Sequence, residues 1–354
     1  MRAVCMGVAR LSSTGAGRRG WGRFARWVRL AARRRSLGLA AAALLLAGCG
    51  TVFREQLTVP VSLWPGYEFF PLAREQGLDR REDLQLDLQV FANPQDIVLA
   101  YLRGDVKIAQ LTTVEAVDLC NRVPKRCPVV ALVLDESRGG DQVVVNRSLA
   151  SIADLRGRPV AITPSTLGPY VLSQALRRHG LSLLDVQLRP MPLESMAAAL
   201  NSGTVDAAAL FPPFSDQAMA GGRVRPLFTS REIPGEIFDI LVVDPEVINT
   251  RRPALVRLLR AWQAAHDALR SNPEPALAVM ARRQNVSVQT FRDSLEGLVF
   301  LSLKEQQPLF KPGGLLERNL RSLREVQAQL GLLPADAPLP PVDGSLIQAA
   351  VQPR

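Results

Sequence analysis

Residues 102–113 read LRGDVKIAQLTT. Within this stretch we predict the end of one helix, a strand, and the residues that lead into a second helix. Gly104 ends the helix predicted over residues 94–103, because glycine readily adopts the left-handed conformation that closes helices. The short, mostly apolar run 107–111 is typical of a buried strand, and two threonines then lead into a helix predicted over residues 114–122. A strand between two helices is the repeating unit of an α/β fold, so the stretch predicts that fold class.

The same alternation continues on both sides of this stretch. We predict strands at residues 57–62, 85–90, 107–111, 128–134, 142–146, 159–163, 186–190, 207–211, 224–228 and 238–243. The helices between them are predicted at residues 70–76, 94–103, 114–122, 167–179, 195–202 and 215–220. After Pro253 the pattern becomes helical, with helices expected at residues 254–270, 275–283, 288–298, 315–330 and 345–351, and a proline-rich extended tail at 334–341.

A leader precedes the part of the chain that is expected to fold. An arginine-rich segment is followed by the apolar run 37–46 and by Leu46-Ala47-Gly48-Cys49. This order resembles the signal peptide of bacterial lipoproteins. The resemblance implies that residues 1–48 are removed on export, that Cys49 is acylated as a membrane anchor, and that residues 49–56 form a tether. The alternative is a transmembrane helix, but the run 37–47 is shorter than the roughly 20 residues that a bilayer span requires.

The net charge of +10 comes from the leader. Residues 1–48 contain ten arginines and no acidic residue, so the 33 basic residues that remain balance the 33 acidic ones. Positive charge in a leader fixes its orientation in the membrane. A neutral mature chain lacks the basic surface that nucleic-acid binding needs, so we expect no nucleic-acid partner.

Cysteine and histidine usage limits the metal and redox chemistry. Beyond the leader and Cys49 the chain has Cys120 and Cys127. An oxidising compartment permits a disulfide between them, and two separate buried thiols are the alternative. Its only histidines are His179 and His266, each in a helical pattern, so a tetrahedral zinc site lacks ligands. We expect no metal and no cofactor.

Five segments carry a family resemblance through their order and spacing. They are WPGY at 64–67, LRGDVKIAQLTT at 102–113, IADLRGRPVA at 152–161, LNSGTVDAA at 200–208 and ILVV at 240–243. Together they resemble the solute-binding proteins of ABC importers in the nitrate, sulfonate and taurine group, which also includes binders of thiamine-precursor pyrimidines. The resemblance covers nearly all of residues 57–330. Lys107 departs from the pattern, because the family more often has an acidic residue there.

This resemblance implies a periplasmic-binding-protein fold of type II, in which two α/β lobes are joined by two crossing strands and bind a ligand in the cleft between them. The length after the leader also favours two lobes, since single cores stop growing beyond about 250–300 residues. We expect the crossings near residues 143–147 and 236–241. The first lobe then comprises residues 57–141 and 240–354, and the second comprises residues 142–239.

Candidate ligand-binding residues follow the predicted strands, because ligands of open α/β sheets bind outside the carboxyl ends of strands. Trp64 and Tyr67 follow the first strand and offer an aromatic surface with one N–H and one O–H, although Trp64 could simply pack beneath its loop. Thr112 and Thr113 follow the strand 107–111. Both hydroxyls could instead be local helix caps.

Further candidates lie on the predicted second lobe and at its boundary. Ser165, Thr166 and Gly168 follow the strand 159–163 and could bind an oxyanion through backbone N–H groups, although an ordinary helix cap would have the same sequence. Phe214, after two prolines, is expected to form an apolar wall. Asp239 at the second crossing could meet a cationic or hydrogen-bonding ligand, or pair with an arginine.

The candidates include no certain arginine, so a strong anion has no evident bidentate partner. Arg138, Arg147 and Arg231 would supply one only if their loops turned inward. A heterocyclic or aromatic ligand stacked on Trp64 or Tyr67 is at least as consistent with the sequence as a sulfonate or nitrate.

We therefore expect a monomeric, exported and lipid-anchored receptor that captures a small solute by hinge closure. Its partners would be the solute, an ABC permease with its ATPase, and the membrane. A sensory lipoprotein that reports ligand to a membrane kinase shares these features. An enzyme of the thiamine-pyrimidine synthase type would need an active histidine or a metal, and the sequence also lacks a nucleophile elbow and a phosphate-binding loop. No catalytic residue is expected.

Overall fold

The computed structural model describes residues 54–353. The predicted signal segment 1–48, Cys49 and the part of the predicted tether 49–56 up to residue 53 lie outside the described residues. Glu55 and Gln56, also predicted as tether, belong instead to the first strand. Within the described range, no helix combines the length and the apolar character that crossing a bilayer requires.

Residues 54–137 alternate between strands and helices, as expected. The strands are β1 (Glu55–Val61), β2 (Leu84–Val90), β3 (Ile108–Thr112) and β4 (Val129–Ser137), and the helices are α1 (Phe69–Glu75), α2 (Leu78–Arg81), α3 (Pro94–Arg103) and α4 (Thr113–Arg122). Gly104 ends α3 in the left-handed conformation at φ 84°, the role that its sequence position predicted. Thr112 begins α4 through a capping box with Glu115.

The middle of the chain builds the second lobe. Its elements are β5 (Gln142–Asn146), β6 (Pro159–Ile162), α5 (Leu167–Arg177), β7 (Gln187–Pro190), α6 (Leu193–Ser202), β8 (Ala207–Leu210), α7 (Phe214–Met219) and β9 (Val224–Thr229). These five strands form one sheet in the order β7-β6-β8-β5-β9, with β6 parallel to both of its neighbours and β5 antiparallel to β8 and β9.

The chain then returns to the first lobe and becomes largely helical. The remaining elements are β10 (Phe238–Val243), α8 (Pro245–Thr250), α9 (Arg252–Ser271), α10 (Pro273–Gln284), α11 (Val288–Leu295), β11 (Leu298–Val299), α12 (Leu303–Gln306), α13 (Leu315–Gln329) and α14 (Ser345–Val351). Helix α9 packs on α1, α2 and α14, and α13 packs on α4. These helices cover the sheet that contains β3, β4 and β10. The three strands are therefore buried along their whole length.

The first sheet has the strand order β11-β4-β10-β3. Strand β10 runs antiparallel to both β3 and β4, so β3 and β4 point in the same direction. Their carboxyl ends and the start of β10 therefore meet at one edge of the sheet. Strands β1 and β2 form a parallel pair beside it, where Gln110 Nε2 on β3 donates to the carbonyl of Pro60 on β1 at 2.8 Å.

The predicted α/β class is confirmed, and some predictions of detail are corrected. Helices α2, α8 and α12 were not predicted, because their four to six residues are too few to show a helical period. The helix predicted over residues 288–298 ends at Leu295, and Leu298 instead belongs to β11, which pairs with β4.

The passages between the lobes occur earlier in the chain than expected. The chain leaves the first sheet after Ser137 and returns to it at Phe238, so the connections are residues 138–141 and 230–237 rather than 143–147 and 236–241. Phe238 and Asp239 pair with β4, so they belong to the first lobe and not to the second lobe that was predicted over residues 142–239. An apolar run predicts a strand, but its local sequence does not specify which sheet the strand joins.

A disulfide joins Cys120, near the end of α4, to Cys127, just before β4. The Cα atoms of the two residues are 4.2 Å apart. The bridge closes the short loop that contains Pro124–Arg126. It therefore holds the end of α4 against the start of β4.

Candidate functional site

A cavity of about 410 Å³ opens between the lobes and is called the outer cavity here. The first lobe contributes residues from the start of α3, including Gln95, and from α4, including Glu115. The second lobe contributes the loop 163–166 after β6 and residues 192–194 before α6. The carboxyl end of β6 thus faces the cleft, as ligand sites of α/β sheets require.

A much smaller inner cavity, of about 10 Å³, lies between the lobes. Its volume fits one group of about the size of a water molecule. It shares Gln95 and Glu115 with the outer cavity, so the two adjoin. Its lining also includes Trp64, Tyr67, Pro94, Thr112, Asp141, Leu167, Phe211 and Asp239.

Strand register brings three polar residues to the edge of the first sheet at this cavity. On β10, Asp239 lies directly opposite Asp135 of β4 on one side and Thr112 of β3 on the other. Directly opposed residues of antiparallel strands place their side chains on the same face. Asp135 and Asp239 are 0% and 2% exposed, so the sheet holds two adjacent carboxyl groups away from water.

Each of these two carboxyl groups receives one hydrogen bond from an aromatic side chain. The Tyr67 hydroxyl donates to Asp239 Oδ1 at 2.6 Å, and the Trp64 indole N–H donates to Asp135 Oδ2 at 3.0 Å. Among residues 54–353, no group donates to the other oxygens, Asp135 Oδ1 and Asp239 Oδ2. Aromatic donors therefore orient the pair without neutralising it.

Burial raises the pKa values of the acidic residues around the inner cavity. The pKa of Asp239 rises well above its usual range, first through burial and then through the nearby charges of Asp135 and Asp141. Burial raises the pKa of Asp141 to about 7, and it also raises the pKa of Glu115. Burial likewise raises the pKa of Asp135 above its usual range, because a low dielectric disfavours the ionised form of each carboxyl group.

Gly66 permits this close approach. A Cβ atom at residue 66 would lie 1.8 Å from Asp135 Oδ2 and 2.9 Å from the Trp64 indole nitrogen. No side chain fits there without moving the hydrogen bond between Trp64 and Asp135. The sequence WPGY therefore places both aromatic donors on the carboxyl pair, with the glycine between them making room.

An ion pair fixes the loop that carries these aromatics. Glu68 is fully buried and pairs with Arg283 of α10, whose guanidinium also donates to the carbonyl of Ser62 at 2.7 Å. Gln284 Nε2 donates to the same carboxylate at 2.8 Å. The loop between β1 and α1 is thereby tied to the helical part of the first lobe.

The structure places the sequence-predicted residues of the first lobe as follows. Trp64, Tyr67, Thr112 and Asp239 all line the inner cavity. Thr112 is also the cap of α4. Thr113 does not line either cavity, because its hydroxyl faces the backbone N–H of Phe238 at 3.3 Å. Thr113 therefore ties α4 to β10.

The predicted residues of the second lobe lie farther from the carboxyl pair. Ser165 and Thr166 line the outer cavity, where Thr163 Oγ1 and Ser165 Oγ are 2.9 Å apart. Gly168 borders a third small cavity behind the inner one, and a Cβ atom there would lie 2.8 Å from Thr163 Oγ1. Phe211 lines the inner cavity, whereas the predicted Phe214 packs edge to face on Phe211, with ring centroids 5.8 Å apart.

Four residues at or beside the inner cavity were not chosen as ligand contacts from the sequence: Asp135, Asp141, Glu115 and Phe211. Asp135 directly follows the predicted strand 128–134, so the rule of strand carboxyl ends could have found it. Glu115 carries a capping-box signal, since it stands three residues after Thr112. Phe211 ends the predicted strand 207–211 and belongs to the predicted apolar wall 211–214, in which Phe214 was the favoured contact. Asp141 offers no comparable local signal, because only the arrangement of the lobes brings it to the cavity.

The three arginines considered for an anion lie elsewhere. Arg138 pairs with Glu136, Arg147 donates to the carbonyl of Gly222, and Arg231 borders a separate surface pocket. Arg122 at the outer cavity is the one basic residue in the described lining of the two cavities, and it lies 3.5 Å from Asp118. The inner cavity has three carboxyl groups in its described lining and no basic side chain.

Neither cavity has a histidine or cysteine in its described lining. His266 stacks on Trp262 in α9, with ring centroids 5.5 Å apart, and belongs to the core. Among residues 54–353, no group of three or more His, Cys, Asp and Glu side chains is placed to hold a metal ion.

Comparison with known proteins finds a matching family model and related binding proteins. Residues 55–282 match the model described as the NMT1-like family. The taurine-binding periplasmic protein of Escherichia coli is 24% identical over 233 residues, which covers 62% of this chain and 71% of that protein.

Two solved structures illustrate the range of proteins with a similar fold. The ligand-binding component of an ABC-type import system from Staphylococcus aureus, determined with zinc bound, has a TM-score of 0.68 at 14% identity and covers 84% of this chain and 99% of its own. The desulfurization enzyme DszB has a TM-score of 0.60 at 17% identity, with coverage of 84% and 99%. Such identities establish the fold alone. It is the periplasmic-binding-protein type II fold, with two α/β lobes around a cleft.

Proposed function

The chain belongs to the NMT1-like family, and on this basis we propose that it is a solute-binding receptor of an ABC importer, held on a membrane outside the cytoplasm by a lipid on Cys49. The observation that carries the proposal is the pair of adjoining cavities, which both lobes line. Trp64 of the first lobe meets Phe211 of the second edge to face, with ring centroids 5.5 Å apart. A solute in these cavities contacts both lobes at once, which is what capture by domain closure requires.

The connections between the lobes support a hinge. Ser137 Oγ, at the end of β4, lies 2.8 Å from Ser230 Oγ, at the start of the return connection. Ser230 Oγ also accepts from the backbone N–H of Gly139 at 2.7 Å. These hydrogen bonds join the end of β4 and the first connection to the return connection, and rotation of the lobes about the two connections would leave both sheets intact.

The receptor role is tested by ligand binding and by uptake. The purified protein is screened by thermal shift against sulfonates, nitrate, bicarbonate, pyrimidines, aromatic acids and amines. Saturation at about 100 times the dissociation constant adds about 2.7 kcal/mol of stability, so a true ligand raises the melting temperature measurably. Deleting the gene should abolish high-affinity uptake of that ligand. Unchanged uptake would contradict the import role and favour a sensory one.

The lipid anchor is tested at Cys49. One acyl chain binds membranes only marginally, whereas two chains hold a protein stably, and the resemblance to lipoprotein signals implies a diacylated cysteine. Cys49→Ala should therefore release the protein into the soluble fraction. Retention of this variant in the membrane after a carbonate wash would show that the run 37–47 acts as an uncleaved anchor.

An enzymatic role is the second candidate, because DszB has a similar fold. The described linings of the cavities offer no thiol or imidazole for catalysis, and both cysteines of the described chain form the disulfide. We expect a bound solute to be recovered unchanged after long incubation, as measured by mass spectrometry. Its conversion to a product would favour the enzyme.

A further inference from the structure

Four acidic residues surround the inner cavity, and we call them the acidic floor: Asp135, Asp141, Asp239 and Glu115. Each is at most 3% exposed. Asp141, Asp239 and Glu115 line the cavity directly, and Asp135 lies opposite Asp239 in the strand pair. Asp239 Oδ2 and Glu115 Oε1 receive no hydrogen bond from the described residues. Acceptor atoms are thus available at the cavity.

The donors that reach the acidic floor are neutral. They are the Trp64 indole, the Tyr67 hydroxyl, the N–H and hydroxyl groups of Thr112, and the Ser137 hydroxyl at Asp141. Beside the floor, Glu136 is already paired with Arg138. The described part of the chain therefore gives the floor no salt-bridge cation.

Other buried acids in the same lobe are compensated. Glu68 pairs with Arg283, Asp244 lies 3.5 Å from Arg126, and Asp79 accepts two backbone N–H groups. Opposed like charges on paired strands destabilise a sheet, and an unpaired buried charge is costly. Glu115 also caps α4, but a cluster of four buried acids without a cation is characteristic of functional sites.

We propose that the solute is a small organic cation whose protonated nitrogen binds on the acidic floor and whose remaining part occupies the outer cavity. This inference rests on the proposed receptor function and specifies its ligand class. The inner cavity of about 10 Å³ fits one ammonium-sized group, and the outer cavity of about 410 Å³ fits the body of a small molecule. Trp64, Tyr67 and Phe211 also line the inner cavity, and the face of an aromatic ring attracts a cation.

Two other ligand classes fit less well. An anion such as a sulfonate would meet carboxyl groups instead of an arginine. A metal ion would need at least three ligands in coordinating geometry, and residues 54–353 present no such group. A nitrogen with several N–H donors can satisfy the free carboxyl oxygens one by one.

The test compares probes that share a ring and differ in charge. Benzylamine and benzamidine are the cations, benzenesulfonate is the anion, and benzyl alcohol is neutral. Nitrate is added as a further anion, and taurine as a zwitterion that carries both an ammonium and a sulfonate group. Binding to the protein purified from cells is measured by thermal shift and calorimetry at pH 8. We expect the cations to bind and the matched sulfonate and alcohol to be at least tenfold weaker.

Variants and proton release separate ligand binding from a purely structural role. Asp239→Asn and Asp141→Asn keep the side-chain shape and should weaken cation binding at least tenfold, whereas Asp105→Asn, on the exposed surface, should leave it unchanged. Both variants are first checked for cooperative unfolding. Cation binding should release protons, measured by calorimetry in two buffers with different ionisation enthalpies, and it should weaken at least tenfold from pH 8 to pH 5.

The outcomes distinguish this inference from the receptor proposal. Binding of benzenesulfonate, taurine or nitrate that survives Asp239→Asn, without binding of the amines, overturns the cationic ligand and leaves the receptor standing. If no probe binds, the solute extracted from the purified protein by acid is identified by mass spectrometry. A cation supports the inference and an anion or neutral solute overturns it. No binding and no extracted solute would overturn both.

Discussion

Tyr67 precedes Glu68 in the chain and donates a hydrogen bond to Asp239. These two buried carboxyl groups have opposite kinds of neighbours. Glu68, the next residue, is paired with Arg283 and accepts a further hydrogen bond from Gln284. Asp239 accepts a hydrogen bond from the Tyr67 hydroxyl but faces Asp135 instead of a cation. The first arrangement is complete within the protein, and the second leaves acceptors free at a cavity. Glu68 thus stabilises the fold, whereas Asp239 keeps an acceptor oxygen free for a ligand.

The pKa values express the same contrast. Burial is the largest cause that raises the pKa of Glu68, and the hydrogen bond and charge of Arg283 oppose it. Burial also raises the pKa of Asp239, but there the next causes, Asp135 and Asp141, raise it further. Both pKa values are therefore raised, but Arg283 limits the rise at Glu68, whereas the neighbouring carboxylates add to the rise at Asp239.

The largest effect is expected when the complete pair is broken. Arg283→Ala should lower the free energy of unfolding at pH 7.5 by about 3–5 kcal/mol, because it leaves Glu68 buried without its cation. Urea unfolding measures this loss, which should be smaller at pH 5, where Glu68 can protonate. The neighbouring pair of Arg282 with Glu75 is exposed, so the matched control Arg282→Ala should cost at most about 1 kcal/mol. Equal losses in the two variants would refute the contrast.

A smaller effect is expected from crowding the incomplete pair. Gly66→Ala places a methyl group against Asp135 Oδ2 and should cost about 1–3 kcal/mol through local displacement. It should also weaken solute binding, because the Trp64 indole moves from its acceptor. Gly221→Ala is the control, since its Cβ would have its nearest neighbour at 3.4 Å. Thermal unfolding compares the two, and an unperturbed Gly66→Ala protein would mean that the loop adapts freely.

The smallest effect is a gain in stability from removing charge. Asp141 has its pKa raised to about 7 and that of Asp239 is raised further, against about 3.9 in the unfolded chain. The unfolded state therefore loses protons first, and stability falls as pH rises from about 4 through about 7. Asp239→Asn removes part of this loss and should raise stability at pH 8 by at least about 1 kcal/mol, since one pKa unit corresponds to about 1.36 kcal/mol.

Thermal unfolding at pH 5 and pH 8, without added ligand, measures this gain. At pH 5 the variant and the natural protein should be closer in stability, because the natural carboxyl group is then protonated. Asp105→Asn, at an exposed ion pair with Arg103, should show no such change with pH. If Asp239→Asn instead lowers stability at pH 8, Asp239 stabilises the fold as Glu68 does, and the contrast between the two acids is wrong.

Local sequence predicted the elements well and the site only in part. Strand Phe238–Val243 and helix Pro94–Arg103 were predicted with the bounds they have, because side-chain periodicity and caps depend on neighbours in the chain. Trp64, Tyr67, Thr112 and Asp239 were found because they follow strands or begin one. Phe214 was chosen where Phe211 lines the cavity, since sequence does not tell which of two nearby aromatics faces a neighbouring lobe.

The sequence by itself determined the α/β class, the helix caps, the balanced charge of residues 49–354 and the cysteine that is the candidate for a lipid. These depend on composition and on residues close together in the chain. Only the tertiary structure decided that Asp135 faces Asp239, that Asp141 joins them, and that no arginine in the described lining reaches the inner cavity. The register of β10 against β4, and the meeting of the lobes, arise from pairing between distant segments, and a pair of buried like charges exists only once those segments meet.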